Sequence, residues 1–323
     1  MSVEGGNRAI IAALLANTGI AVTKFIAFLL TGSSSMLAES VHSVADSGNQ
    51  ALLLVGGKRS RREATPIHPF GYGRERYFYA FVVAIVLFSL GGLFALYEAW
   101  HKFQHPEPIT GRWWWVPIVV LLIAMALEGF SFHTAVTESN QVRGERSWTA
   151  FIRTARAPEL PVILLEDFAA LVGLVFAMFG VGMTLITGNG IWDAVGTALI
   201  GTLLVTVAII LSIEMKSLLL GESATRDHVL AIQAALEGDS DSSEPEVRRV
   251  IHLRTLHLGP EELLVCAKLA VGRADQGQEI AAAIDAAEQR ARDSVPGLRL
   301  VVYLEPDIDR GESDPAPWQR AAD

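Results

Sequence analysis

Five stretches of this chain, near residues 9–31, 77–100, 115–136, 160–187 and 191–213, are each long and apolar enough to cross the roughly 30 Å hydrocarbon core of a bilayer as an α-helix. No other feature constrains the fold as tightly. Hydrocarbon offers backbone N–H and C=O groups no partner, and a helix pairs them within its own segment. Composition agrees, since 51% of the 323 residues are hydrophobic and only 19% charged. A sixth stretch, 36–57, carries Glu39, His42 and Asp46 among its apolar residues. Its polar residues keep helical spacing, so it reads as a helix that survives in lipid only with that face turned inward.

The expected fold class is therefore an α-helical membrane protein with six transmembrane helices, joined to a smaller domain. The opening "MSVEGGNR" has no cationic run, and the apolar stretch after it is longer than a signal-peptide core, so the first helix is expected to be retained. Loop charge sets orientation. Lys58, Arg59, Arg61, Arg62, Arg74 and Arg76 lie between the second and third segments, and Arg143, Arg146, Arg153 and Arg156 between the fourth and fifth. The turns "TGSSS" and "TGNG" carry no charge. Six helices with both termini in the cytoplasm satisfy this pattern, and the inner (plasma) membrane of a bacterium is the expected location.

Beyond residue 221 the character changes. Residues 222–323 hold 20 acidic and 11 basic side chains, whereas the membrane part holds 15 of each. The whole net charge of −9 thus lies in the tail, which argues against nucleic acid and anionic lipid as its partners. Its pattern predicts a helix over 226–237, the acidic turn "GDSDSSEPE", strands over 247–257 and 262–271 joined at Gly259-Pro260, a helix over 277–294 and a strand over 298–304. Such an order makes a small α+β domain with its helices on one sheet face. The expected division is a membrane domain over 1–221, an α+β domain over 222–310 and a disordered end over 311–323.

Chemistry concentrates on the second segment. Glu39, His42, Asp46 and Gln50 are spaced by three, four and four, which lines them along one helical face. In a soluble helix this would be an ordinary polar stripe. In a bilayer an ionisable group near the helix centre costs roughly 3 kcal/mol or more, so a histidine with carboxylates marks a pathway or a site. A second acidic pair, Glu166-Asp167, stands in the fifth segment, its members about a quarter turn apart.

One histidine with two or three carboxylates suits a four-coordinate divalent ion such as Zn²⁺, while oxygen-rich sets also admit Mn²⁺ or Fe²⁺. Cys266 is the only cysteine, so ligands must be nitrogen and oxygen. Lys24 either pairs with Glu39 or extends to the surface. Glu128 serves as a proton relay or as a structural hydrogen-bond partner. His133 reads as interfacial, Trp113–Trp115 as an interfacial belt, and Gly91, Gly92, Gly173 and Gly196 as close-packing positions.

The stretches "SSSMLAESVHSVADSGNQ", "HPFGYGRERYFY", "LLEDFAALVG", "TGNGIWDAVGT", "HLRTLHLGP" and "LEP" together resemble the cation diffusion facilitators, within them a subgroup of animal zinc transporters. The resemblance runs from about residue 8 to 306. It implies a homodimer of six-helix protomers, each with a cytoplasmic metallochaperone-like α+β domain, that exchanges a divalent cation, usually zinc, for protons. The family's transport site maps onto His42, Asp46 and Asp167. Its remaining histidine falls at Ile163, and Glu166 is the residue at hand to replace it. In the loop after the second segment His68 is kept, while Tyr72 replaces a downstream histidine. His252 falls at a tail ligand position, but Tyr303 and Glu305 stand where relatives carry His and Asp. No full binuclear site is expected there, and His252 and His257 read as ordinary strand residues.

The function expected is efflux of a divalent cation, zinc first, by proton antiport. A manganese-, iron- or cobalt-preferring transporter, and a non-transporting membrane metal sensor or scaffold, are the alternatives. An enzyme is not expected, since the chain has no helical His-Glu-x-x-His and no nucleophile set. Metal: His42, Asp46, Asp167 and Glu166. Around them, Glu39, Gln50, Glu128 and Lys24 form a supporting shell or proton path.

Overall fold

The computed structural model describes residues 3–106, 108–109, 112–238, 247 and 249–308. These form two compact units, residues 1–59 with 76–216, and residues 60–75 with 217–323. The loop after the second long helix thus groups with the carboxy-terminal unit rather than with the helices on either side of it. The expected disordered end over 311–323 and most of the acidic turn lie outside the described residues.

The first unit is helical. In chain order come α1 (Val3–Thr31), α2 (Ser34–Arg59), α3 (Glu75–Val86), a π-helical segment (Leu87–Leu93), α4 (Phe94–Gln104), α5 (Val116–Arg143), α6 (Trp148–Thr154), α7 (Glu159–Thr187) and α8 (Ile191–Leu220). α3, the π segment and α4 run on as a single 30-residue helix. Among the described residues four helices are long and apolar enough to cross a membrane, namely Glu75–Gln104, α5, α7 and α8. α1 adds a shorter apolar helix over Asn17–Thr31. The polar stripe of α2 removes that helix from this set, as hydropathy averages over faces and the stripe occupies one of them.

Several helices outrun their apolar stretches, α5 to Arg143 and α8 to Leu220, because a hydrogen-bonded ladder does not end where hydrocarbon does. α6 was not foreseen. Ser147 caps it, its Oγ accepting from Ala150 N–H at 3.2 Å.

Glycines draw the inner helices together. A Cβ on Gly196 would sit 3.0 Å from Gly180 Cα and 2.8 Å from the Phe176 carbonyl, so α7 and α8 touch through backbone. Gly92, in the π segment, abuts Val205 of α8, where a Cβ would lie 2.6 Å from Val205 Cγ2. Large apolar side chains such as Phe25, Leu29, Leu122 and Phe130 are exposed, as expected of lipid-facing surface.

The second unit holds α9 (Arg226–Glu237), β1 (Arg249–Gly259), β2 (Glu262–Val271), α10 (Gly277–Ser294) and β3 (Arg299–Ile308) in a sheet of order β1-β2-β3. β1 and β2 form an antiparallel hairpin, and α10 is the crossover that makes β2 and β3 parallel. Val229, Ile232 and Leu236 of α9 and Ala287 and Ala291 of α10 share a core with Leu263, Val265 and Leu269. β3 runs to Ile308 because Pro306, on the edge strand, interrupts no pairing that the sheet needs. The 60–75 loop lies against this sheet. Gly73 stacks on Leu258 and Gly259, and Phe70 meets Tyr303 edge-on at 6.5 Å.

Candidate metal centre

Twelve residues of α2 are buried, among them Glu39, His42, Ser43, Asp46 and Asn49, so the polar stripe faces inward. His42 Nδ1 stands 3.5 Å from Asp46 Oδ1, one turn on. Neither atom has a hydrogen-bond partner, and His42 Nε2 has none either. Buried polar atoms left in this way cost about 1–3 kcal/mol each, which marks this point of α2 as a candidate site. The π segment adjoins this point, with the Cβ position of Gly91 3.9 Å from His42 Nδ1. A π turn inside an α-helix is frequently found at a functional site.

α7 meets α2 here. Asn49 Nδ2 donates to Glu166 Oε1 at 2.5 Å, and the Glu166 carboxyl group lies within electrostatic reach of Asp46. Asp167 goes elsewhere. Its Oδ2 accepts from Ser131 Oγ of α5 at 2.8 Å. Ile163, one turn before, likewise packs towards α5 and α6, against the cluster of Ala135, Phe151 and Leu164. The quarter turn between Glu166 and Asp167 thus sends them to different helices. Among the described residues no group of three or more His, Cys, Asp or Glu is gathered in a metal-holding arrangement. The geometry brings His42, Asp46 and Glu166 into one neighbourhood and leaves Asp167 on its far side.

The surrounding groups divide in the same way. Lys24 is buried and donates to Glu39 Oε2 at 3.0 Å and to Ser43 Oγ at 2.8 Å, so it pairs with Glu39 rather than reaching the surface. Glu128 on α5 is buried within electrostatic reach of Lys24, Asp167 and Glu39. Gln50 keeps a buried Oε1 without a hydrogen-bond partner. His133 is exposed. In the tail, His257 Nδ1 lies 3.3 Å from the Gly259 carbonyl, and Lys268 bridges Glu305 and Asp307 at 3.2 and 3.3 Å. Hydrogen bonds to Glu305 and Asp307 raise the Lys268 ammonium above its ordinary pKa.

Sequence reasoning passed over Asn49, Ser131 and Asp193. Asn49 sits seven residues after His42, on the same face, which was the available signal. Asp193 opens α8 and receives Ser33 Oγ, Ser34 N–H, Ser34 Oγ and Ser35 N–H at 2.6–3.3 Å. It thereby caps the amino end of α2 from another helix.

A family model described as the cation efflux transmembrane domain matches residues 10–220. The chain belongs to the cation efflux family. Among relatives of this cation efflux protein, the mitochondrial proton-coupled zinc antiporter SLC30A9 of Xenopus laevis is 32% identical over 262 residues, 80% of this chain and 45% of the frog protein. Its human namesake is 32% identical over 79% of this chain and 44% of its own. The chain therefore spans less than half the length of either. The zinc transporter ZitB of Yersinia pestis is 26% identical, over 81% of this chain and 77% of its own.

These relatives correct one expectation. The bacterial plasma membrane with both termini in the cytoplasm is overturned, since the frog and human proteins are named as mitochondrial. The cation efflux chain is an integral membrane protein, but loop charge distinguishes only the two faces of a bilayer and carries no address for the bilayer itself.

Proposed function

We propose that this protein carries a divalent cation, zinc first, across its membrane in exchange for protons, from the face of the basic loops to the face of the short uncharged turns. All six long helices span the bilayer in this reading, with α2 sheltered by its neighbours. The protomers pair as a homodimer, with the sheet-containing tail as a metallochaperone-like domain. One observation carries the proposal. Both ring nitrogens of His42 and Oδ1 of Asp46 are buried without hydrogen bonds, beside Glu166.

The chemistry of exchange follows from these residues. An imidazole nitrogen and carboxylate oxygens take either protons or a divalent ion, and each displaces the other. Two neighbouring carboxylates such as Asp46 and Glu166 repel each other unless a proton or a cation is taken up, and either can stand in for the other. His42, Asp46 and Glu166 are the proposed ligands of the transported ion, with Asp167 as a fourth once it leaves Ser131. The names of the frog and human relatives support zinc and proton coupling. Flux of radioactive zinc, manganese, iron and cobalt into proteoliposomes, with and without a pH gradient, tests the reading. Zinc flux that follows the gradient is expected. Flux indifferent to the gradient removes the coupling, and no flux of any ion would make the protein a sensor or scaffold.

A further inference from the structure

Lys24 and Glu39 stand apart from the proposed ligands yet are among the most deeply buried of the described side chains, at 1% and 0% exposure. A cation in the middle of a helical bundle carries a high desolvation cost, which an ion pair offsets only with good geometry. Lys24 has that geometry. It donates to Glu39 Oε2 and to Ser43 Oγ, and these two residues flank His42 on α2, three before it and one after.

Glu39 is half used. Its Oε2 is bound by Lys24, while Oε1 is buried with no hydrogen-bond partner. That free oxygen fits because residue 173 is glycine: a Cβ there would lie 2.9 Å from it. The carboxylate therefore sits one turn from His42 on the ligand-bearing face, held back by an ammonium group. Lys24 also acts electrostatically on His42, Asp46 and Glu128.

We propose that Lys24 is a resident cation that sets how tightly the site holds its cargo, by binding Glu39 away from the divalent ion and by repelling that ion once it is bound. This rests on the transport reading above. A site of one imidazole and several carboxylates in a medium of low dielectric would otherwise hold a doubly charged ion too firmly to let it go. Lys24 is a positioning residue in this scheme, never a ligand.

The test reads affinity and turnover separately, on the full chain in proteoliposomes with zinc as the probe. Lys24→Gln should lower KM and the equilibrium Kd about tenfold and lower kcat by a similar factor, because one positive charge near a divalent ion is gone and Glu39 is released. A purely structural lysine would do the reverse, raising KM or leaving it alone, and either result overturns the proposal. Lys24→Gln with Glu39→Gln removes a neutral pair and should return KM to within about threefold of the wild type. Should Lys24→Gln fail to fold, Glu39→Gln alone leaves the ammonium uncompensated and should raise KM about tenfold, and an unchanged KM there overturns the inference. Lys24→Arg, which keeps charge and donors, should behave as wild type. A wild type that carries zinc normally beside an unshifted Lys24→Gln defeats this inference alone, whereas a wild type that carries no cation defeats the transport reading and this inference together.

Discussion

α2 enters two buried polar clusters, and they are built on opposite rules. At its amino end Ser33, Ser34, Ser35 and Thr197 close around Asp193, and every donor there has an acceptor. Two turns further on, His42 and Asp46 are equally buried and keep unsatisfied atoms. Full satisfaction rigidifies and costs little, while unmet lone pairs inside a protein are kept only where something else uses them. One cluster therefore fastens α2 to α8, and the other is the proposed place of exchange.

This contrast breaks if the two clusters respond alike to truncation. His42→Ala and Asp46→Ala should each cut zinc flux by about 100-fold or more, as each removes one of about four ligands, with thermal stability held or raised. Asp193→Ala should do the opposite. It strands four donors and should cost about 3 kcal/mol of stability, while flux per folded molecule stays near wild type. Zinc flux in Asp46→Ala equal to wild type, read in the same vesicles, would remove the proposed site.

The next effects sharpen the contrast within α7. Glu166→Gln keeps shape and removes the charge that a proton and a cation contest, so zinc binding should weaken about tenfold and lose much of its pH dependence. Unchanged binding would make Glu166 structural. Ile163→His should shift preference from manganese towards zinc by only about threefold, as its side chain faces α5 and α6. A large shift would mean that α7 rotates during transport. Least of all should chelators affect the tail: the fragment 222–310 should remain folded and dimeric without metal, its Lys268 already bridging Glu305 and Asp307. Unfolding on chelation, followed by circular dichroism, would restore a metal role to His252.

What could be read ahead of the structure followed from period and cost. The stripe at 39, 42, 46 and 50 was legible because charge is expensive in lipid and a helix repeats every 3.6 residues. The hairpin at Gly259-Pro260 and the α10 limits were legible for equally local reasons. Ser131 was not, and Asn49 was passed over despite its place on the stripe, since uncharged polar side chains are cheap enough in a bundle to pass as background. The partners of Asp193 lie about 160 residues away in sequence, and no local pattern joins them. Glu166 and Asp167 posed a different problem. Sequence fixes the angle between neighbours on a helix but not the rotation of that helix about its axis, which packing against α2 and α5 decides.

The π segment leaves its imprint on the whole of the third long helix. Buried residues run through it at Tyr77, Ala80, Val83, Ala84, Leu87, Gly91, Gly92, Ala95 and Ala99, so one face stays inward on both sides of the segment. At the far end of this helix Lys102 Nζ donates to the Gly32 carbonyl at 3.0 Å. A change that turned the helix beyond the segment would move Lys102 off Gly32 while every side chain before Leu87 kept its place, so an event beside His42 would be felt at the far end of the helix.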